Sequence, residues 1–149
     1  MKIRRATRED VMFIVEMLAD DELGSQREHY TDPLPHAYYD AFESIDKDPL
    51  QELMVVEIDG RVVGTFQLSF IHYLTYQGGM RAQIEAVRIH KDHRGTGVGT
   101  NVFEWAIERA RSRGAHVLQL TTDKKRPDAL RFYEALGFRA THEGMKLHF

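Results

Sequence analysis

Asp59-Gly60 separates two stretches, residues 53–58 and 62–70, that are rich in β-branched, aromatic and other apolar side chains. Asp-Gly supplies the positive φ values of a two-residue hairpin turn, so the chain doubles back there and begins an antiparallel sheet. Upstream, residues 2–6 read as a short extended segment. Thr7 and Asp10 then form a capping-box signal for a helix whose inner face carries Val11, Ile14, Val15 and Leu18, closing over residues 20–24. A loop over 25–36 leads to a second helix within 33–48, marked by Tyr38, Tyr39, Phe42 and Ile45. Downstream, Gly78-Gly79 precedes a strand within 81–90. A helix over 97–113 follows, with Val98, Val102, Trp105 and Ala106 on one face and Gly114 at its end. The spacing then predicts a strand at 116–120, a helix opened by Pro127 with Leu130, Tyr133 and Leu136 inward, and short strands at 138–140 and 145–149. A hairpin ahead of a strand–helix–strand–helix run makes this a mixed α/β domain of the α+β kind rather than an all-parallel, doubly wound one.

The chain of 149 residues suits one compact domain, residues 1–149. A net charge of −3 argues against general nucleic-acid binding, which needs a basic surface to neutralise phosphates. With no cysteine, disulfides, thiolate zinc sites and a cysteine nucleophile are excluded. The eight histidines include no His-Glu-x-x-His pair, and His90 with His93 is too little for a metal site, so no metal is expected. Residues 1–7 lack a signal peptide's apolar core, and no stretch approaches the roughly 18 apolar residues of a membrane helix. The expectation is a cytoplasmic protein without membrane contact.

The most informative residues are Arg94-Gly95-Thr96-Gly97-Val98-Gly99, between a predicted strand and an amphipathic helix. Glycines there let the backbone turn tightly and bring its N–H groups close to a ligand, and the start of a helix favours an anion. Phosphate is the natural guest; a glycine-rich connection without a ligand is the plain alternative. A P-loop requires Lys-Ser/Thr after its last glycine, where this chain has Val98-Gly99. A dinucleotide fingerprint requires a third glycine where Thr100 stands.

Arg94, Gly97 and Gly99 instead match the Arg/Gln-x-x-Gly-x-Gly/Ala loop of the GNAT N-acetyltransferase superfamily. The resemblance extends back through residues 84–90, similar to that family's fourth strand, and forward through the helix to Tyr133-Glu134-Ala135-Leu136-Gly137-Phe138, which resembles its late Tyr-x-x-Leu-Gly-Phe signature. It covers about the last 70 residues by motif and the remainder by element order. It implies a central mixed, mostly antiparallel sheet flanked by helices, and transfer of an acetyl group from acetyl-coenzyme A to a primary amine of a small molecule, aminosugar or peptide.

By the same resemblance, the main chain at Val87 and Ile89 pairs with the cofactor's pantetheine arm. The amides from Arg94 through Gly95, Thr96, Gly97, Val98, Gly99 and Thr100 cradle its pyrophosphate. An alkylamine with a pKa near 10.4 is mostly charged at pH 7, about three units from its nucleophilic form, so a general base or a desolvating pocket is needed. Glu85 is the candidate base; a strand carboxylate paired with Arg81 or Arg88 is the other reading of it. Tyr133 is the candidate acid for the departing thiolate, or else a packing residue beside Leu130 and Leu136. The chain departs from the family where Thr122-Asp123-Lys124-Lys125-Arg126 stands in place of an asparagine after the fifth strand. For the acceptor, Asp20, Asp21 and Glu22 are candidates to attract a cationic amine, and Tyr30, Tyr38, Tyr39, Tyr73 and Tyr76 to line its site. The family also implies a homodimer. A non-catalytic module that binds acetyl-coenzyme A and regulates a partner is the alternative function, as in a transcription factor that reads the cofactor level.

Overall fold

A computed structural model describes residues 1–20 and 23–149. Strand β1 (Lys2–Arg5) leads through a 3-10 turn, Arg8–Asp10, into α1 (Val11–Ala19). The predicted capping box is present: Asp10 Oδ2 accepts the Thr7 amide at 2.8 Å, while the Asp10 amide donates to the Thr7 carbonyl at 3.0 Å. Helix α2 (His36–Lys47) precedes β2 (Gln51–Ile58) and β3 (Arg61–His72). These two strands are joined by Asp59-Gly60 with φ of 50° and 76°, as the turn requires. A single turn, α3 (Thr75–Gly78), leads to β4 (Met80–Ile89). Then come the 3-10 turn Lys91–His93, α4 (Val98–Ser112), β5 (Val117–Gln119) and α5 (Pro127–Ala135).

The strands form one sheet in the order β1-β2-β3-β4-β5, antiparallel except for the parallel β4–β5 pair. One face of the sheet carries the main core: Phe66, Leu68, Phe70, Ala82 and Ile84 pack against Val98, Val102, Phe103, Ala106 and Ala110 of α4. On the opposite face, Val55 packs with Val11, Ile14 and Val15 of α1 and Phe42 of α2. Leu130, expected on the inner face of α5, is 39% exposed; Phe132 joins Tyr133 and Leu136 against the core instead.

Two expectations for the end of the chain fail. Residues 138–140 and 145–149 are not strands. Phe138 packs on Phe103 with ring centroids 5.9 Å apart, but residues 141–149 are exposed throughout and pair with no strand of this sheet.

A carboxylate that the sequence does not single out holds α4 to the sheet. Glu52, on β2, is 1% exposed. Its two oxygens accept from Nε and Nη2 of Arg109 at 3.0 and 2.6 Å, and Oε1 also accepts from Arg113 at 3.2 Å. Arg5 lies at 3.8 Å. Burial works to raise the Glu52 carboxyl, but the hydrogen bonds and charges of these arginines outweigh it and hold it below the usual carboxylate range. Asp10, with Arg4 at 2.7 Å, is held down by the same balance of burial against guanidinium.

Both carboxyls are more acidic folded than unfolded. Their stabilisation is therefore complete above the ordinary carboxylate pKa and is lost as the pH falls through the lower folded values. We expect the thermal midpoint, followed by circular dichroism, to fall as the pH drops below about 4. Glu52→Gln should cost about 2 kcal/mol near neutral pH, less than a fully buried pair because Arg109 and Arg113 reach water, and should flatten that acid slope.

Candidate active site

The site is built where β4 departs from regular pairing. Thr65 faces Arg88 and Gln67 faces Glu85, so the single residue Phe66 spans two residues of β4, Ala86 and Val87. Ala86 takes φ of 52° to make this bulge. In a regular strand Ile84 would share its face with residues 86 and 88, placing Arg88 in the core. The extra residue resets the alternation, so that Val87 and Ile89 pack on the main core and Arg88 turns to the other face, where Glu85 also lies. Gly64 sits opposite Ile89, and a Cβ there would meet Ile89 Cδ1 at 3.0 Å and Val56 Cγ2 at 3.1 Å. That close approach favours a glycine, since any side chain would push its neighbours by a few tenths of an ångström.

On its other side β4 is paired with β5 only from Arg81 to Gln83. Beyond Gln83 the two parallel strands part. Among the described residues the β4 backbone through Ile89 has no strand neighbour on that side, which turns its main chain toward an extended ligand; the Val87 and Ile89 carbonyls accept from arginine side chains, Arg88 at 2.9 Å and Arg94 at 3.0 Å. A cavity of about 630 Å³ opens here. Its walls are Val87, Arg88 and Ile89 of β4, Arg94 of the loop, Lys125 and Arg126 before α5, and Leu23 and Gln26 after α1.

The glycine-rich turn lies at the same end of β4. Gly95 and Gly97 have φ of 75° and 87°, conformations that L side chains rarely adopt, and a Cβ on either would meet nothing within 4 Å. Gly97 is the N-cap of α4, so the first amides of a 15-residue helix, those of Val98, Gly99 and Thr100, lack intrahelical acceptors and face the field of the helix start. The Val98 side chain is buried in the core and anchors the turn. A Cβ at Gly99 would meet Phe132 Cζ at 3.6 Å, an ordinary contact, so the packing of α5 on α4 does not by itself demand glycine there. The Thr96 hydroxyl donates to the His93 carbonyl at 2.7 Å, and Arg94 donates from Nε to the Ile89 carbonyl at 3.0 Å and from Nη2 to Asp20 Oδ2 at 2.9 Å. Arg94 thus ties the turn to the end of β4 and to α1.

Tyr133 sits in an aromatic group on the α4 side, with Phe103, Phe132 and Phe138 at centroid distances of 5.4, 5.6 and 6.2 Å. Burial pushes its phenol above the ordinary value, against the charges of Arg126 and Arg88, both of which line the cavity. The hydroxyl therefore stays protonated at neutral pH and can donate. Glu85 is exposed and accepts from the side-chain amide of Gln83. Its anticipated cationic partners are engaged elsewhere: Arg81 lies over the Tyr73 ring at 3.5 Å, and Arg88 donates to the Val87 carbonyl at 2.9 Å. Neither Glu85 nor Tyr133 is among the residues that wall the cavity.

The five tyrosines offered for the acceptor are not gathered together. Tyr30 lines a separate hollow of about 260 Å³ with Asp20, His90 and Lys91. The Tyr38 hydroxyl donates to Glu28 and accepts from the His29 amide, while Arg8 lies over Tyr39 at 4.4 Å. Tyr76 stacks on His116 at 4.7 Å. Asp20 is held by Arg94, and Asp21 and Glu22 lie outside the described residues. Among the described residues no cluster of His, Asp and Glu is fit to hold a metal ion, and no helix is long and apolar enough to cross a membrane.

A parted strand pair, a glycine turn at a helix start and a cationic cavity between them have a counterpart among known proteins. The Acetyltransferase (GNAT) family model matches residues 15–138. The chain belongs to the GNAT acetyltransferase family. An aminoalkylphosphonate N-acetyltransferase of Salmonella typhimurium is 28% identical over 144 residues, 95% of this chain and 86% of that one. A glucosamine 6-phosphate N-acetyltransferase of Trypanosoma brucei brucei is 35% identical over 88 residues, covering 59% of this chain and 58% of its own length. A crystal structure of a transcriptional regulator from Bacillus halodurans C-125 is 56% identical and superposes with a TM-score of 0.96 over 99% of both chains.

The bulge of this GNAT chain stores backbone strain, because an alanine at φ 52° costs about 1 kcal/mol that a glycine avoids. Ala86→Gly should raise the unfolding free energy by roughly that amount in urea titrations, less the extra entropy glycine gives the unfolded chain.

Proposed function

We propose that residues 1–149 act as an N-acetyltransferase domain that moves the acetyl group of acetyl-coenzyme A to a primary amine of a small molecule, aminosugar or peptide by direct attack. The parting of β4 from β5 beside the glycine turn carries this reading, because it offers two kinds of main-chain donor in one place. The unpaired side of β4 at Val87 and Ile89 suits the amide-rich pantetheine arm, whose groups would share or displace the bonds that the Val87 and Ile89 carbonyls now accept from Arg88 and Arg94. The amides from Arg94 to Thr100, with Gly95 and Gly97 leaving space in front of them, suit the pyrophosphate. The cations around the cavity fit a ligand with several phosphate charges.

Bound there, the cofactor supplies a thioester carbonyl open to attack. The chain's own part is to manage protons. Tyr133, kept neutral by burial, holds a proton for the departing sulfur. Glu85, exposed on the β4 face that also carries Arg88, takes a proton from the incoming ammonium, directly or through water. The named relatives that acetylate an aminoalkylphosphonate and glucosamine 6-phosphate support a small-molecule acceptor. A cytoplasmic setting and the absence of nucleic-acid binding belong to the same proposal.

The 56% identical transcriptional regulator favours a second reading, a domain that binds the cofactor as a signal. Both readings require cofactor binding and only the first requires turnover, so an acceptor screen following thiol release decides between them.

Acetyl-coenzyme A at about 100 times its dissociation constant should add roughly 2.7 kcal/mol to the unfolding free energy, and adenosine triphosphate much less. Gly97→Val should weaken cofactor binding at least tenfold in calorimetry, since valine disfavours φ of 87° and fills the space before the amides. Tyr133→Phe should lower kcat on the order of 10²-fold while leaving cofactor affinity within about twofold. Unchanged turnover, with chemistry limiting, would return Tyr133 to a packing role.

A further inference from the structure

Arg81, Gln83 and Glu85 are alternate residues of β4, so their side chains share the sheet face opposite α4, the helix against which Ala82 and Ile84 pack. Gln119 of β5 stands beside Gln83 in the last paired register before the two strands part. These four side chains form one row. Arg81 Nη1 donates to Gln119 Oε1 at 3.4 Å, the longest link; Gln119 Nε2 donates to Gln83 Oε1 at 2.8 Å, and Gln83 Nε2 donates to Glu85 Oε1. A guanidinium and a carboxylate are thus joined through two amides rather than by direct contact.

The two ends of the row dictate its polarity. A carboxylate only accepts, so Gln83 must turn its NH2 toward Glu85 and its oxygen toward Gln119; a guanidinium only donates, so Gln119 must offer Arg81 its oxygen and Gln83 its NH2. Both amide dipoles therefore run the same way, from cation to anion, and each link polarises the next. The cationic end is held in turn, with the Arg81 guanidinium over the Tyr73 ring at 3.5 Å. Gln67, the cross-strand neighbour of Glu85, aims its donor elsewhere. Its Nε2 donates to Gln51 at 2.6 Å, and Gln51 donates to Asp48 at 3.0 Å, a second row that runs away from the carboxylate.

We propose that Gln83 and Gln119 are positioning residues for acetyl transfer, which pin one oxygen of Glu85 and leave the other to take the proton of the acceptor amine. This rests on the reading of Glu85 as the base. Among the described residues Oε1 accepts from Gln83 and Oε2 has no partner, so the second oxygen alone is open to the ammonium or to a bridging water. When the base acts, an N–H bond of the ammonium breaks and an O–H bond forms at Oε2, while the electron pair of the broken bond stays on nitrogen and makes it the nucleophile. The amides cannot carry that proton onward, because neither gains nor loses one near neutral pH. The row orients the base and does not drain it. Glu85 is an exposed residue on a strand whose neighbour departs directly beyond Gln83, and the row ties its carboxylate to β5 across the mouth of that opening.

Two measurements on the full chain test this. In proton–nitrogen correlation spectra of isotope-labelled protein, the side-chain amide signals of Gln83 and Gln119 are identified by their loss in Gln83→Leu and Gln119→Leu. Glu85→Gln should move the Gln119 signals, although Gln119 does not bond to Glu85, and should leave them in place once residue 83 is leucine. Turnover is followed by thiol release from acetyl-coenzyme A with the primary amine that reacts fastest in the acceptor screen. Gln83→Leu and Gln119→Leu should each lower kcat about tenfold with KM for acetyl-coenzyme A within about twofold, and Gln83→Leu should cost nothing further when combined with Glu85→Gln. Gln119 signals that ignore Glu85→Gln overturn the proposal. So does a Gln83→Leu loss that persists in full beside Glu85→Gln, since it marks a role in structure only. Full turnover in Glu85→Gln overturns the base reading itself; full turnover in Gln83→Leu beside a slow Glu85→Gln overturns the positioning role alone. Should a leucine variant fail to fold, methionine, which keeps the length of glutamine without its hydrogen bonds, takes its place.

Discussion

The rest of the structure depends on how β4 is paired. One side is an antiparallel ladder with β3, interrupted by the bulge at Ala86, and the other meets β5 over three residues before the strands part. A sheet with complete pairing on both sides would offer no main-chain groups to a ligand, because each would be spent on a neighbour. The bulge at Ala86 acts together with that opening. It returns Val87 and Ile89 to the apolar core and keeps the Arg88 guanidinium out of it, so one residue of extra length reconciles core packing with a cationic cavity wall.

Charge in this molecule is sorted by place. The chain is net acidic, but the cavity is walled by Arg88, Arg94, Lys125 and Arg126. Several described acids are spent on architecture: Glu52 on Arg109 and Arg113, Asp10 on Arg4 and Thr7, Asp20 on Arg94. The Asp20–Arg94 pair links α1, on one face of the sheet, to the glycine turn that opens α4 on the other. Asp20, which the sequence offers as a lure for a cationic amine, is thus a fastener between elements.

What could be read in advance was local. Asp59-Gly60 fixes its own turn, Thr7 and Asp10 their own box, and the face of α4 its own helix, because in each the signal and the structure span only a few residues. The glycine turn was legible because Gly95 and Gly97 are needed for backbone conformations that few other residues take up. The bulge was not, since an alanine at φ 52° leaves no mark in the sequence and its cause is the packing of residues on either side. The Glu52 clamp was equally hidden, its partners lying 57 and 61 residues away. The tyrosines are dispersed, which composition could not foretell, because it does not say which faces the topology brings together. At 145–149 the alternation was visible, but a strand needs a neighbour, and sequence periodicity does not name one.

The Glu52–Arg109 contact restricts how this chain can vary by descent. Two parallel donors, Nε and Nη2, meet the two oxygens of one carboxylate, a planar match that an ammonium group cannot reproduce. Lysine at position 109 keeps the charge and loses the fork, so one buried oxygen forfeits its donor. The replacement usually tolerated at exposed basic positions is therefore closed to neutral drift here. Lineages that give up the arginine are expected to give up the glutamate with it, leaving an apolar pair in their place.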